Sequence, residues 1–328
     1  MATKLRLEIH RITLLKKVSG KKRLSYEQCS FAELMTRFDT DKKKAFPLFW
    51  TKFVEYFQSQ FLLNKEGDKA ITATDTSKHS FSTVNNTISG EVNGGPTNRE
   101  QEIFKRKNAK TSTGVVADDD VVSSNFFIKL WLPIGLTTGV LMIQSYSNAN
   151  ISELVRLHLT KFVQHYGFKL ITTSFFPQSF LEEKKKKSNV ISVTYVKDKL
   201  SEDSRKLINP MFAEFKDLKV KIVVTGFRKS VDDFWKGFKQ NGRTLNTDIE
   251  ALEMKADEEN NVVAKYEDED GYTTTMNIDQ QRLRDFAYYT LPESVLRKGK
   301  STYDFEAICK HTDSILEKIK KEIKNAKK

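Results

Sequence analysis

The segment from residue 126 to residue 173 places the strongest constraint on the fold. Its apolar stretches Phe126–Leu132 and Gly139–Gln144 predict two buried β-strands, because each is short, continuous and bounded by turn residues. Apolar residues then recur every three or four positions from residue 151 to residue 162, which predicts an amphipathic helix. Gly167 supplies a left-handed stop, and Phe168–Thr173 returns as a strand. This order of strand, helix and strand suits a parallel crossover.

Amphipathic patterns also mark both ends of the chain. Lys4–Leu15 alternates as a half-buried strand whose apolar phase shifts after Ile9, which predicts a β-bulge at Arg11. Near the other end, a long helix is predicted whose last turns are rich in lysine, where cations complement the helix dipole. Its apolar face comprises Phe305, Ile308, Thr312, Ile315, Leu316, Ile319 and Ile323.

A stripe of aromatic residues predicts another helix. The stripe consists of Phe46, Phe49, Trp50, Phe53, Phe57 and Phe61, at spacings of three and four. Pro47 is tolerated only in the first turn of a helix, so the helix is expected to begin close to it. Exposed rings in a row can stack nucleic-acid bases. A continuous seam at helical spacing favours the other interpretation, which is packing in the core.

Turn residues and β-branched stretches complete the secondary structure. Asn93–Pro96 predicts a tight turn that follows a strand over residues 86–92. Val190–Val196 and Val220–Thr225 predict further strands, and Asn261–Tyr266 pairs with Tyr272–Ile278 in a predicted hairpin.

Together these elements predict an α+β fold, with a mixed β-sheet covered by helices and with a C-terminal hairpin and long amphipathic helix. The sheet is expected to combine the N-terminal strand with the strands between residues 126 and 225. We place a mixed α/β core domain at residues 1–245. The hairpin and the C-terminal helical region, residues 246–328, are expected to form an appendage.

Positive charge is the main functional signal. The 328 residues include 55 Lys and Arg against 43 Asp and Glu, a formal net charge of +12. Such an excess attracts polyanions and suits phosphate backbones. Lysine predominates in the basic runs, which favours non-specific backbone contact over sequence reading, because arginine is the better residue for bidentate base contacts. The sequence therefore predicts a protein that binds DNA or RNA. The alternative is a lysine-rich surface that serves only solubility.

Three basic runs are the candidate phosphate contacts. Each lies in a predicted turn or loop, from which long side chains can reach a nucleic-acid backbone. The candidate nucleic-acid-binding residues are Lys16, Lys17, Lys21, Lys22, Arg23, Lys105, Arg106, Lys107, Lys184, Lys185, Lys186 and Lys187. They can act together only if the fold brings them to one surface.

Two other classes of function remain open. A metal-dependent nuclease needs clustered carboxylates and a lysine, and Asp118–Asp120 precede the predicted strand that carries Lys129. The compact acid-x-lysine triplet of such enzymes is missing, so a solvated loop is the simpler interpretation of the three aspartates. An interaction subunit is the other class, with Ser301–Lys328 as a docking or homo-oligomerising element.

Other site chemistry is not indicated. Neither G-x-x-x-x-G-K-[ST] nor G-x-G-x-x-G occurs, so a nucleotide site of either type is not expected. His158 and His165 lie seven residues apart, which is too far for the usual zinc pair on a helix. Cys29 has no evident activator in the sequence that would make it a nucleophile. We expect neither a cofactor nor a bound metal.

Cysteine usage and hydropathy bear on the compartment. Cys29 and Cys309 allow at most one long-range disulfide. Charged residues interrupt the apolar stretch over residues 5–15, so a signal peptide is not expected. The sequence contains no apolar run near the roughly 20 residues that a membrane helix requires. We expect a cytoplasmic protein with no membrane partner.

The segment Phe126–Pro133, followed by Gly139–Ser145 and the helix from Ile151, resembles a pattern in uncharacterised bacterial proteins. The shared pattern is a strand ending in proline, a strand that begins with glycine, and an amphipathic helix, and it covers about forty residues. Such proteins occur in anti-phage defence or mobile-element loci. The resemblance implies a role in prokaryotic antiviral defence, with a defence complex as a possible partner, and it transfers no functional residue.

Overall fold

The computed structural model describes residues 5–18, 25–105, 108–147, 149–197, 200–237, 244–245, 254–255, 260–267, 273–277 and 288–325. The chain divides into two compact units. The first unit is Met1–Phe175 with Tyr288–Lys328, and the second is Phe176–Ala287. The first unit is thus built from both ends of the chain. This division differs from the boundary predicted at residues 245/246, which falls inside the second unit.

The described residues form both strands and helices, with the longest run of strands between residues 62 and 146. The strands are β1 (Leu5–Lys17), β2 (Tyr26–Gln28), β3 (Leu62–Leu63), β4 (Lys69–Thr72), β5 (His79–Ser82), β6 (Thr87–Pro96), β7 (Gln101–Lys105), β8 (Asn108–Val116), β9 (Ser124–Trp131), β10 (Thr138–Tyr146), β11 (Phe168–Ser174), β12 (Asn189–Lys197), β13 (Val220–Ser230), β14 (Thr244–Leu245), β15 (Met254–Lys255), β16 (Asn260–Glu267), β17 (Thr273–Asn277) and β18 (Tyr289–Thr290). The α-helices are α1 (Phe31–Met35), α2 (Lys42–Tyr56), α3 (Ser152–His165), α4 (Gln178–Lys187), α5 (Glu202–Ile208), α6 (Val231–Gly237) and α7 (Phe305–Asn325). Short 3-10 turns cover Pro210–Glu214 and Glu293–Val295. The α+β class is therefore confirmed.

The main sheet of the first unit has the strand order β11-β1-β10-β9-β6-β4-β3, and all its described pairings are antiparallel. The prediction of a mixed sheet is wrong in this respect. Strands β10 and β11 do run in the same direction, as expected of strands joined by α3. They are not neighbours, however, because β1 lies between them and is antiparallel to both. An N-terminal strand has thus been inserted into the predicted crossover unit.

Strand β1 shows why the sheet has two buried faces. Its pairing with β10 runs without a register shift from Leu5 to Thr13, so the bulge predicted at Arg11 is wrong. The apolar residues change face because different layers cover the two halves of the strand. Leu7 is fully buried on one face and Ile12 is fully buried on the other. Side chains alternate between the two faces of a strand. A straight strand that is covered on one face in its first half and on the other face in its second half therefore shows the same shift in its apolar sequence pattern as a bulged strand.

One face of the sheet is covered by α1, α2 and the start of α3. Glycine allows this close packing at β6, where a Cβ on Gly90 would lie 2.1 Å from the Trp50 ring. The aromatic stripe of α2 packs against α3, with Phe162 edge-on to both Phe49 and Phe53. The other stripe residues from Phe46 to Phe57 are buried as well, which confirms the core interpretation over a stacking platform for them. Phe61 lies beyond the end of the helix and is 40% exposed, so the prediction is wrong for this residue.

The start of α2 differs from the prediction. The helix begins at Lys42, so Pro47 lies inside it rather than in its first turn. The Asp41 side chain accepts a hydrogen bond from the Lys43 backbone N–H and caps the helix one turn earlier than expected. An internal proline costs about 3 kcal/mol. Burial of each large aromatic side chain returns about 2 kcal/mol, so the stripe outweighs the proline.

Helix α7 covers the opposite face of the sheet. Its predicted apolar face is buried, from Phe305 to Ile323. Phe305 contacts Phe127 of β9 edge-on, and Lys320 lies 5.7 Å from the ring centre of Trp131. The helix is therefore part of the core of the first unit and not an appendage. Its apolar side is used within the fold, and a docking role for Ser301–Lys328 stays a prediction.

The turn predicted at Asn93–Pro96 is also wrong, because β6 continues to Pro96. Gly95 is required there by close packing rather than by turn geometry. A Cβ at this position would lie 2.0 Å from the backbone oxygen of Val122. The neighbouring Gly94 would meet the backbone oxygen of Ala70 at 2.7 Å. The two glycines admit neighbouring backbone on both sides of the strand.

The second unit contains its own antiparallel sheet, in the order β13-β12-β16-β17. The predicted hairpin strands pair as β16 and β17, with Val263 opposite Asn277. Ser201 caps α5, and Pro210 opens the 3-10 turn after it, where proline is tolerated because the first N–H groups of a helix have no internal partner. The buried core of this unit comprises Val190, Val193, Tyr195, Val231, Phe234, Val262, Ala264 and Tyr266.

Candidate nucleic-acid interface

The end of β1 lies at an open groove of about 320 Å³ in the first unit. The groove is lined by residues from β1, from α1 with the turn after it, and from the start of β11. These residues are Lys16, Lys17, Glu33, Thr36, Arg37, Gly167 and Phe168. We call the cations around this strand end, Lys16, Lys17, Arg37 and Lys169, the basic edge.

Strand register explains why these residues meet. Lys16 pairs with Phe168 of β11 and with Glu27 of β2, while Lys17 pairs with Tyr26. Directly paired residues project from the same face of a sheet. Lys16 therefore lies on the face that carries α1, and Lys17 lies on the other face. The basic edge surrounds the end of the strand from both faces.

Two cations of the basic edge lie over aromatic rings. The Arg37 guanidinium is 5.7 Å from the ring centre of Phe168, and Lys169 Nζ is 5.3 Å from that of Tyr26. Such contacts favour the cation and limit the motion of its long side chain. Tyr26 is 42% exposed, so its ring also borders solvent. Lys17, Arg37 and Lys169 are exposed as well.

Carboxylates offset part of this charge. Lys16 Nζ donates to Glu33 Oε2 at 2.9 Å and lies 3.6 Å from Glu27 Oε1. The hydrogen bond to Glu33 raises the pKa of Lys16, and the same bond lowers the pKa of Glu33. Lys16 is thus engaged within the protein. Lys17, Arg37 and Lys169 are the members of the basic edge best placed to meet an external anion.

Among the described residues of the first unit, the predicted contacts that lie together are Lys16 and Lys17. The expectation that they lie in a loop is wrong, because both belong to β1. Lys21, Lys22 and Arg23, in the connection between β1 and β2, lie outside the described residues, as do Arg106 and Lys107. Lys105 ends β7.

The run from Lys184 to Lys187 also differs from the prediction. It forms the last turn of α4 in the second unit and is not a loop. Lys186 and Lys187 are exposed. Four consecutive lysines are compatible with a helix because long unbranched side chains lose little freedom there.

Sequence reasoning missed Arg37, Lys169 and Tyr26. Each is an isolated residue rather than part of a basic run. The signal that could have found Lys169 is the alternation of β11, provided that its pairing with β1 were known. That pairing joins segments more than 150 residues apart, and sequence periodicity does not report it.

The residues of the nuclease hypothesis do not converge. Asp118, Asp119 and Asp120 form an exposed turn, in which Asp120 Oδ2 accepts from the Ala117 backbone N–H at 2.9 Å. Lys129 instead donates to Asp313 Oδ1 of α7 at 2.7 Å. Among the described residues, no group of three or more His, Cys, Asp or Glu side chains could hold a metal ion. The three aspartates are better explained as a solvated turn.

Thiol and imidazole chemistry is also disfavoured by burial. Cys29 is buried and free, and burial raises the pKa of its thiol to about 11, so little thiolate forms at neutral pH. His158 is buried beside the Tyr56 hydroxyl, 3.2 Å from its Nδ1. Burial lowers the pKa of His158 to about 4, which keeps the imidazole neutral. Both residues belong to the core.

Comparison of the chain with known protein families, with curated proteins and with solved structures found no match. In the described part of the chain, no helix is both long and apolar enough to cross a bilayer. The role in antiviral defence and the cytoplasmic location expected from the sequence stay predictions.

Proposed function

We propose that the protein binds nucleic acid through the sugar-phosphate backbone at the basic edge. The observation that supports this is the gathering of Lys17, Arg37 and Lys169 around one strand end, with the exposed Tyr26 among them. Phosphate oxygens accept hydrogen bonds from all three side chains. The chain also carries an overall excess of positive charge, which attracts polyanions from a distance.

The composition of the basic edge favours single-stranded DNA or RNA. Unpaired bases can stack on an exposed ring such as Tyr26, and stacking of this kind contributes about 1–3 kcal/mol per base. Bases inside a duplex are already stacked on their neighbours and cannot stack on Tyr26. Backbone contact and stacking both tolerate any base, so the proposed binding is independent of sequence.

The number of contacts sets the expected salt dependence. Three phosphate contacts to a single strand predict a slope of about −2 when the logarithm of the binding constant is plotted against that of the salt concentration. Fluorescence anisotropy with a labelled single strand of mixed sequence would measure this slope. A duplex of the same sequence should bind more weakly at every salt concentration.

Charge reversal at the basic edge tests the site. The variant Lys17→Glu/Arg37→Glu/Lys169→Glu should bind at least about tenfold more weakly at low salt, because three counterion-releasing contacts are lost. The matched control is Lys43→Glu/Lys44→Glu/Lys65→Glu, which replaces three exposed lysines of the same unit. It lowers the net charge of the protein by the same amount as the basic-edge variant. The control should retain most of the binding.

Equal losses in both variants would show that net charge acts without a defined site, and would reject the basic edge. Failure of the parent protein to bind any single strand at low salt would reject the proposed function itself.

A further inference from the structure

A second opening in the first unit combines a buried carboxylate with a guanidinium group. It has a volume of about 470 Å³ and lies on the face of the sheet that α7 covers. Glu91 of β6, Asn125 of β9 and Tyr146 of β10 form its floor, and Arg297 and Tyr303 contribute from the segment before α7. We call these five residues the acidic pocket. It shares no residue with the basic edge.

Glu91 is the unusual member of the acidic pocket. The residue is only 3% exposed, and no hydrogen bond of good geometry reaches its Oε1 from the described residues. Its Oε2 has two distant donors, the Lys78 backbone N–H at 3.4 Å and Asn125 Nδ2 at 3.5 Å. A buried carboxylate without close donors destabilises the free protein. A ligand that donates to Glu91 would remove this cost.

Two tyrosines strengthen the case for a cationic donor. Burial and the Glu91 charge raise the pKa of Tyr146 to about 12 and also raise that of Tyr303. Both phenols are therefore neutral at physiological pH. The Tyr146 hydroxyl donates to the Asn125 backbone oxygen at 3.0 Å, and a hydrogen bond between the Tyr303 hydroxyl and Glu91 contributes to the raised pKa of Tyr303. Tyr303 offers a further polar group to a ligand.

Arg297 supplies a positive group at the same opening. Its Nε donates to the Tyr303 backbone oxygen at 3.0 Å, which holds the guanidinium beside the pocket. The turn that follows contains Lys298, Gly299 and Lys300, with Gly299 in the left-handed conformation at φ +72°. Negative and positive groups therefore line a single opening.

We propose that the acidic pocket binds a small zwitterion. Its primary ammonium group would donate to Glu91 and to the Tyr303 hydroxyl oxygen, and its phosphate or carboxylate would accept from Arg297. An ammonium group supplies three donors and suits a carboxylate flanked by hydroxyl groups. The volume admits a ligand of amino-alcohol phosphate or amino-acid size with water around it.

Isothermal titration calorimetry with matched probes tests this proposal. O-phosphoethanolamine carries both charges, ethanolamine carries only the ammonium, and methyl phosphate carries only the anion. We expect O-phosphoethanolamine to bind more tightly than either half. Glycine, as a carboxylate zwitterion, then shows which anionic group the pocket prefers. Absence of binding by both zwitterions would overturn the proposal.

Glu91→Gln provides a second, independent readout. The amide keeps the shape of the side chain and removes its charge, so O-phosphoethanolamine should bind about tenfold more weakly or worse. Without ligand, the variant should have a Tm about 2–4 °C above that of the parent, because an unsatisfied buried charge has been removed. Arg297→Gln should reduce O-phosphoethanolamine to the affinity of ethanolamine.

The matched control is Glu293→Gln, an exposed residue in the same unit and outside the acidic pocket. It should change neither affinity nor Tm. Unchanged probe binding in Glu91→Gln, or a lower Tm without ligand, would assign Glu91 a structural role and overturn the proposal. The basic-edge variant with three charge reversals should retain full probe binding, which separates this site from the proposed nucleic-acid interface.

Discussion

Lys129 and Lys16 both donate to a carboxylate, Lys129 to Asp313 at 2.7 Å and Lys16 to Glu33 at 2.9 Å. The first lies in the middle of the sheet beneath α7 and its side chain is 2% exposed, whereas the second lies at the basic edge and is 39% exposed. Burial lowers the pKa of Lys129, while the hydrogen bond to Glu33 raises that of Lys16. The two pairs have similar distances between their charges. The difference in solvent exposure of the lysine therefore determines whether its pKa is raised or lowered.

The other partners of the two lysines reinforce this difference. Lys129 also donates to the Thr312 hydroxyl at 2.9 Å and to the Cys309 backbone oxygen at 3.0 Å, so each ammonium hydrogen has an acceptor. A buried ammonium requires such saturation. Lys16 has water available and can exchange Glu33 for another anion. The interior pair is suited to joining α7 to the sheet, and the edge pair is suited to reversible contact.

The largest effect is expected from breaking the interior pair on one side. Asp313→Ala leaves the Lys129 ammonium buried with two neutral acceptors, and should lower the free energy of unfolding by about 2–3 kcal/mol. Urea unfolding followed by circular dichroism measures this change. Lys129→Met, which replaces the charge with an apolar chain of similar length, should cost less.

The double variant Lys129→Met/Asp313→Ala completes the thermodynamic cycle. It should be more stable than Asp313→Ala alone, because no unpaired ammonium remains in the interior. Additive losses would show that the two side chains are not coupled and would contradict the assigned role of the pair.

A smaller effect is expected from acid, through another interior group. The pKa of His158 is lowered to about 4 by burial, so the folded state binds a proton less readily than the unfolded chain. Stability from this group is complete above pH 6.5 and is lost as the pH falls from 6.5 to 4, by about 3 kcal/mol. His158→Gln should flatten this part of the stability profile. His165→Gln, on the exposed side of the same helix, should leave it unchanged.

The smallest effect on stability is expected at the edge. Glu33→Gln should leave the Tm of the protein within experimental error of the parent value, since exposed ion pairs contribute little. It should nevertheless increase affinity for a single strand about two- to threefold, because Lys16 keeps only the more distant Glu27 as an internal anion and can contact phosphate. Anisotropy at low salt measures this gain. Weaker binding by Glu33→Gln would mean that the carboxylate positions Lys16 for its ligand.

Periodicity predicted well those elements whose neighbours are close in sequence. Strands β9 and β10 pair directly, and helix α3 packs against β10 and β11, so the local pattern of these consecutive elements reflects their surroundings. The buried residues of helix α7 were also predicted correctly, because an apolar stripe on a helix is buried whichever element it packs against. Its place on the sheet could not be predicted, since the covered strands precede it by more than 150 residues.

The wrong predictions concern residues whose role depends on distant packing. Gly94 and Gly95 resemble a turn in sequence, yet they admit backbone and side chains from other segments. The sequence did not single out Glu91, whose surroundings include Arg297 and Tyr303 from the distant segment before α7. At the basic edge, lysine runs revealed Lys16 and Lys17. Arg37, Lys169 and Tyr26 depend on strand pairing that composition does not report.

The position of α7 also bears on how the chain matures at the ribosome. Synthesis proceeds from the N-terminus, so the sheet strands emerge well before Phe305–Asn325, the segment that covers one of their faces. Until then Leu7, Phe127 and Met142, all fully buried in the finished protein, have no cover on that face. Nascent or prematurely terminated chains therefore display a sticky apolar surface that attracts chaperones and proteases. Only chains that include α7 can bury this surface and so avoid binding by chaperones and cleavage by proteases.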